Sequence, residues 1–146
     1  MRLRNIPRAE GVIQLHRAVI KRPEAQRGNW KQIFGNENPI YIEIGMGKGQ
    51  FILEMARKHS ALNFIGIERY SSVLLRAIEK FDTEEFQELE NVRFVCMDAR
   101  NVEEVFAPKE VGKIYLNFSD PWPKARHAKR RLTSREFLER YEKILA

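Results

Sequence analysis

Asp120, Trp122 and Lys124 stand at alternate positions in the run Asn117-Phe118-Ser119-Asp120-Pro121-Trp122-Pro123-Lys124, which follows the apolar stretch Ile114-Tyr115-Leu116. The run opens directly into Arg126, His127, Lys129, Arg130 and Arg131. A carboxylate, an aromatic ring and a cluster of cations are thus set side by side at the end of one strand-like segment. Open α/β sheets place their ligands there. A base can stack on the ring, a positive centre can sit by the carboxylate, and phosphates can meet the cations. Pro121 and Pro123 fix φ on either side of Trp122 and stiffen the run. Trp122 either stacks on a base or braces the loop, and both readings stay open.

A second group precedes it. Glu43-Ile44-Gly45-Met46-Gly47-Lys48-Gly49 has the composition of a strand-to-helix turn. Gly45, Gly47 and Gly49 let the backbone bend and let a ligand approach closely. In a nicotinamide fingerprint the third glycine comes one position later, where this chain has Gln50, which weighs against a dinucleotide. No Gly-Lys-Ser/Thr follows at P-loop spacing either. Glu68 comes 19 residues after Gly49, at the end of the next apolar run, where a carboxylate can accept hydrogen bonds from a ribose diol. Asp98 follows the third run and is placed to reach an adenine. Glu43 ends an otherwise apolar strand, and a buried acid there is costly unless it meets a cation. S-adenosylmethionine carries an ammonium, a sulfonium, a ribose and an adenine, and the series Glu43, glycines, Glu68, Asp98 fits it part by part.

These residues resemble a family. Glu43 to Phe51, then Gly66-Ile67-Glu68, then Asn117 to Lys124 with Arg126-His127 and Lys129 to Thr133, look like the bacterial tRNA (guanine-N7-)-methyltransferases of the TrmB type. The resemblance implies a class I, Rossmann-like α/β fold, S-adenosylmethionine as methyl donor and a variable-loop guanine of tRNA as acceptor. It implies that Glu43, Glu68 and Asp98 contact the cofactor and that Asp120 is both a cofactor contact and the catalytic residue. Lys124, with Trp122, would touch substrate. Arg126, His127, Lys129, Arg130 and Arg131 would meet RNA. Members of the family continue for several more strands, so the chain is expected to be truncated before its C-terminal strands.

The elements that must position these groups alternate. Ile40–Ile44, 63–67, 91–96 and 113–118 have strand composition. Helices are expected over 48–59 and from Ser71 or Ser72, either of which can cap, to Phe81. A short turn or helix is expected over 102–106. Thr133-Ser134-Arg135-Glu136 has the form of a capping box for a last helix, with Phe137, Leu138, Tyr141, Ile144 and Leu145 facing inward. This alternation predicts a parallel sheet with helices on both faces. Residues 39–146 form the cofactor-binding domain. Residues 1–38 form a basic arm with a short amphipathic helix over 12–20, followed by a turn-rich stretch. Trp30, Ile33 and Phe34 in that stretch are expected to pack on the domain's edge.

Charge is unevenly spread over the 146 residues: net +6 over 1–33, −5 over 34–123 and +5 over 124–146. Two basic ends on an acidic body favour a polyanion, nucleic acid first. No apolar run spans a bilayer and no signal-peptide segment is visible, so a cytoplasmic location without membrane association is expected. Cys96 is the only cysteine, which excludes an internal disulfide and is expected to be a small buried hydrophobe. No Cys/His/Asp cluster has metal-ligand spacing, so no metal is expected. Monomer and homodimer both remain open. Two other functions are weighed: a nucleic-acid amino-methyltransferase, disfavoured by Trp122 at a position usually occupied by proline, and a non-catalytic RNA-binding module.

Overall fold

The computed structural model describes residues 6–116 and 135–146. Four strands, Ile40–Ile44 (β1), Asn63–Glu68 (β2), Val92–Cys96 (β3) and Lys113–Leu116 (β4), pair in parallel in the order β3-β2-β1-β4. Two crossovers step outward from β1 to β2 to β3, and the third returns to the other side of β1. That reversal makes the gap between β1 and β4 a topological switch point. All six residues of β2 are buried, as a parallel sheet covered on both faces requires.

Each face has its own core. Phe64, Val92 and Phe94 pack under helices Gln50–Lys58 (α3) and Ser71–Phe81 (α4), and Ile13 of the first helix, Ala9–Leu15 (α1), joins them. On the other face Ile40, Ile42, Ile44, Ile65 and Ile67 meet helices Trp30–Phe34 (α2), Val102–Val105 (α5) and Arg135–Ile144 (α6). Alternation along β1 decides which face each side chain joins: the isoleucines point one way, Tyr41 and Glu43 the other.

The N-terminal segment departs from expectation. The helix expected over 12–20 is α1, Ala9–Leu15, and it stops short. Ala18 to Ile20 instead run along the outer edge of β3, where Phe94 N–H donates to Ala18 O (2.8 Å) and Ile20 N–H to Phe94 O (2.9 Å). An uncovered edge would leave those backbone groups without partners, and pairing also buries Ala18 and Val19. Trp30 does not sit at an edge. It is fully buried, stacks on Phe106 at 5.2 Å between centroids, and donates from Nε1 to Val105 O (2.8 Å). The Glu110 carboxylate ties this segment down by accepting from Gly28 N (2.9 Å), Trp30 N (3.2 Å) and Ala107 N (2.8 Å).

Three helix details also differ. α3 starts at Gln50, because Gly49 precedes it with φ +84°. Neither Ser71 nor Ser72 caps α4. Tyr70 is the boundary residue and its N–H goes to Glu68 Oε2 (3.0 Å), which draws both serines into the first turn. On α6, Tyr141 and Ile144 are buried as expected, but Leu138 is 48% exposed. It lines an open cleft of about 430 Å³ beside Ile114 and Leu116, so it lies over the flank of β4 and not under the core. Thr133, Ser134 and the Phe137 side chain lie outside the described residues. After α6 the chain pairs with the segment leading into β4: Val111 N–H donates to Ile144 O (3.0 Å) and Ala146 N–H to Val111 O (2.8 Å).

Trp30→Ala should cost about 3–5 kcal/mol, the usual loss for truncating a buried aromatic. Denaturant unfolding measures it. A loss below about 1 kcal/mol would show that residues 1–38 are not part of this core.

Candidate functional site

The loop from β1 to α3 is built from three backbone conformations that side-chain-bearing residues rarely adopt. Gly45, Gly47 and Gly49 have φ of +75°, +59° and +84°. Gly49 is required twice over, since a Cβ there would stand 3.0 Å from Ala77 Cβ and force α3 away from α4. At Gly47 an added Cβ would meet nothing within 4 Å, so that part of the loop faces open space. The inner side is anchored to β2. Gly45 N–H and Met46 N–H both donate to Ile67 O (2.9 and 3.1 Å). Gly47 N–H donates to Glu68 Oε1 (3.1 Å).

The acids expected at the strand ends lie at the carboxyl ends of neighbouring strands. Glu43 is 2% exposed and lies in register between Gly66 of β2 and Tyr115 of β4. Glu68 comes two residues after Gly66, so Glu43 and Glu68 are diagonal neighbours on one face of the sheet. Glu68 is also buried, and burial raises its pKa against the opposing pull of backbone N–H groups of Tyr70, Gly47 and Arg69. The two carboxylates are therefore held close to the glycine loop in a poorly solvated setting.

Asp98 has a different environment. It follows β3 and caps the short turn Ala99–Asn101, with Oδ1 accepting from Arg100 N (2.9 Å). Its Oδ2 accepts from Arg100 Nε (3.2 Å) and Nη2 (2.9 Å), and Arg69 Nε lies 3.7 Å away. Partial burial pushes its pKa up, but the Arg100 bonds and both guanidinium charges outweigh that and hold it below the ordinary value. Sequence reasoning alone does not single out these two arginines. Their only signal is position, each one or two residues from a strand-end acid. Cys96 pairs with Glu68 in the ladder, and burial, then the Glu68 charge, push its thiol pKa up. It is held as a thiol, in line with an inert role.

Asp120, Trp122, Lys124, Arg126, His127, Lys129, Arg130 and Arg131 lie outside the described residues. β4 leads to them, and its last residue, Leu116, pairs with Ile44, one residue before the glycine loop. Among the described residues no group of three His, Cys, Asp or Glu side chains is placed to hold a metal ion, and no helix is long and apolar enough to cross a membrane.

Comparisons with known proteins agree with this architecture. The family model described as "Putative methyltransferase" matches residues 37–146. The chain is 58% identical over 145 residues to the tRNA (guanine-N(7)-)-methyltransferase of Lachnoclostridium phytofermentans, covering 99% of this chain and 66% of that protein. It is 54% identical over 147 residues to the enzyme of the same name from Geobacillus thermodenitrificans, covering 100% of this chain and 67% of that one. The chain thus spans about two thirds of the length of these relatives. Among solved structures, the antibiotic-resistance methyltransferase Kmr superposes with a TM-score of 0.61 at 18% identity, over 82% of this chain and 60% of Kmr, a likeness of fold. With its sheet order, its glycine loop and its matches over nearly the full length, the chain belongs to this methyltransferase family, alongside the bacterial tRNA (guanine-N(7)-)-methyltransferases.

Proposed function

We propose that the protein transfers a methyl group from S-adenosylmethionine to N7 of a guanine in tRNA. The observation that carries this reading is the left-handed glycine loop anchored to Glu68 beside the β1/β4 switch point. The names of the relatives supply the acceptor.

The residues present fit the cofactor. Glycines without side chains leave backbone open to a ligand, and Gly47 faces free space. Glu43 offers a buried carboxylate to an ammonium. Glu68 has lone pairs for ribose hydroxyls beyond the bonds it accepts from backbone N–H groups such as those of Gly47 and Tyr70. Asp98 is kept ionised by Arg100 and can accept from the adenine amino side. S-adenosylmethionine, when bound, supplies a methyl group activated on a sulfonium.

Guanine N7 has a lone pair and no proton, so no general base is needed to create the nucleophile. The protein's work is orientation and electrostatics. In this proposal Asp120 accepts hydrogen bonds from the guanine N1–H and N2–H edge. That holds N7 toward the methyl and puts negative charge by a base turning cationic. Lys124 and Trp122 position the base. Arg126, His127, Lys129, Arg130 and Arg131 meet phosphates, where contact is salt-dependent and independent of sequence.

The defining measurement is methyl transfer to unmodified tRNA, with the product nucleoside identified by mass and fragmentation. 7-Methylguanosine is expected; a methyl on an exocyclic amine would refute the reading. Asp120→Asn should lower turnover at saturating cofactor by roughly 10²-fold or more, in the range of removing one transition-state electrostatic contact. Near-normal turnover would remove Asp120 from this role.

Glu68 gives a pH test. Its raised pKa means the folded chain holds that proton more tightly than the unfolded one. Its contribution to stability is fully present below the ordinary value of 4.5 and is lost as pH rises through the raised value. Glu68→Gln should flatten that decline in the cofactor-free chain, measured by urea unfolding at several pH values. The same substitution should weaken S-adenosylmethionine binding by about 1.5–3 kcal/mol, the worth of a hydrogen bond to a charged group. Unchanged affinity by calorimetry would contradict the ribose contact.

A further inference from the structure

Three successive residues of β2 meet three successive residues of the glycine loop. Glu68 takes the Gly47 N–H at 3.1 Å. Ile67 O takes the Gly45 and Met46 N–H groups at 2.9 and 3.1 Å. Gly66 faces the Met46 side chain: a Cβ added there would collide with Met46 Sδ and stand 3.1 Å from Ile52 Cδ1 and 3.4 Å from Phe94 Cδ1. Met46 is only 5% exposed, although it belongs to a loop between two glycines of positive φ.

A glycine in the middle of a fully buried strand weakens that strand, through lost side-chain packing and greater unfolded-state entropy. Here it leaves a slot, and the loop's only large apolar side chain fills it. The backbone hydrogen bonds fix where the loop crosses β2. They do not by themselves fix its height above the sheet, because a carbonyl accepts over a broad range of angles. The Met46 side chain, closed in by Ile52 and Phe94, sets that height.

We propose that Gly66 and Met46 form a slot and peg that hold the glycine loop at its ligand-binding height, making both positioning residues for the cofactor. Neither residue touches the ligand in this assignment. The inference rests on the cofactor reading above, and it adds the device that presets the site. Displacement of the loop by an added methyl lifts the Gly47 N–H away from Glu68 and moves the open face of Gly47 relative to Glu43. The collision is with the Met46 side chain and not with strand backbone, so the sheet survives, and with Ile52 and Phe94 beside the thioether the strain passes to the loop.

The experiment is a two-residue cycle: Gly66→Ala, Met46→Ala and the double variant. Calorimetry reads S-adenosylmethionine affinity, filter binding reads tRNA affinity, and circular dichroism confirms folding. Gly66→Ala is expected to weaken the cofactor by roughly tenfold to a hundredfold, the usual effect of small misplacement, with tRNA affinity unchanged. The double variant is expected to recover most of the loss, because the methyl added on β2 occupies space vacated by the thioether. General damage to the fold would not be rescued by a second truncation. Equal cofactor affinity in Gly66→Ala, or a double variant no better than the single, overturns the proposal.

A second readout needs no cofactor. Amide exchange at Gly45, Met46 and Gly47 in the unliganded chain should be at least about tenfold faster in Gly66→Ala and restored in the double variant. If the unsubstituted chain binds no S-adenosylmethionine, the functional reading fails, yet these exchange rates still decide the slot and peg. Unchanged exchange in Gly66→Ala overturns it.

Discussion

Where β1 ends, the chain enters the left-handed region at Gly45, again at Gly47 and again at Gly49, and only contact with β2 makes that path a single conformation. Glycine lowers the steric cost of positive φ, but it also widens the range of alternatives the loop must give up. Backbone hydrogen bonds to Ile67 O, the Glu68 carboxylate and the buried Met46 side chain select one of them. α3 starts where the loop ends, and its first turn passes close to Ala77 of α4. The direction of α3, its packing on α4 and the open face of Gly47 all follow from that one anchored turn.

The charges around the turn are arranged at a cost. Two carboxylates, Glu43 and Glu68, are withdrawn from solvent on the same face of neighbouring strands, and burial pushes the Glu68 pKa up. A protein selected only for stability would place apolar side chains there. Asp98, one strand further out, sits in the opposite regime, ionised by Arg100 and Arg69 and half occupied in capping a turn. Asp98 thus differs in hydration from the two buried acids, which suits a ligand whose parts differ in polarity.

The sheet that carries these acids is protected at β3 by a segment whose apolar spacing suggests the end of a short helix. Ala18 to Ile20 satisfy the outer backbone of β3, and Trp30, held by Glu110 and Val105, closes one end of the opposite core. The N-terminal segment is therefore structural as well as cationic. It bonds β3 at Phe94, two residues before Glu68's ladder partner Cys96.

Strand and helix order were legible from the chain itself, because hydrophobic period and strand length survive any tertiary arrangement: β1 falls on Ile40–Ile44 and α4 closes at Phe81, as their apolar spacing requires. The glycine loop and the acids at strand ends were legible too, since few residue types meet those steric and electrostatic demands. Other features needed the fold. Leu138 has helical spacing for burial, yet it lies on an open flank, because spacing gives a face and not what that face meets. Ser71 and Ser72 look like caps, but a side chain two residues upstream of Tyr70 claimed the boundary first. The seat of Met46 on Gly66 joins residues 20 apart in sequence through the parallel pairing of β1 with β2. Local preference determines most of the elements that form, though not the edge pairing of Ala18 to Ile20. Only the register of distant strands determines which side chains share a space, because that depends on contacts no short segment contains.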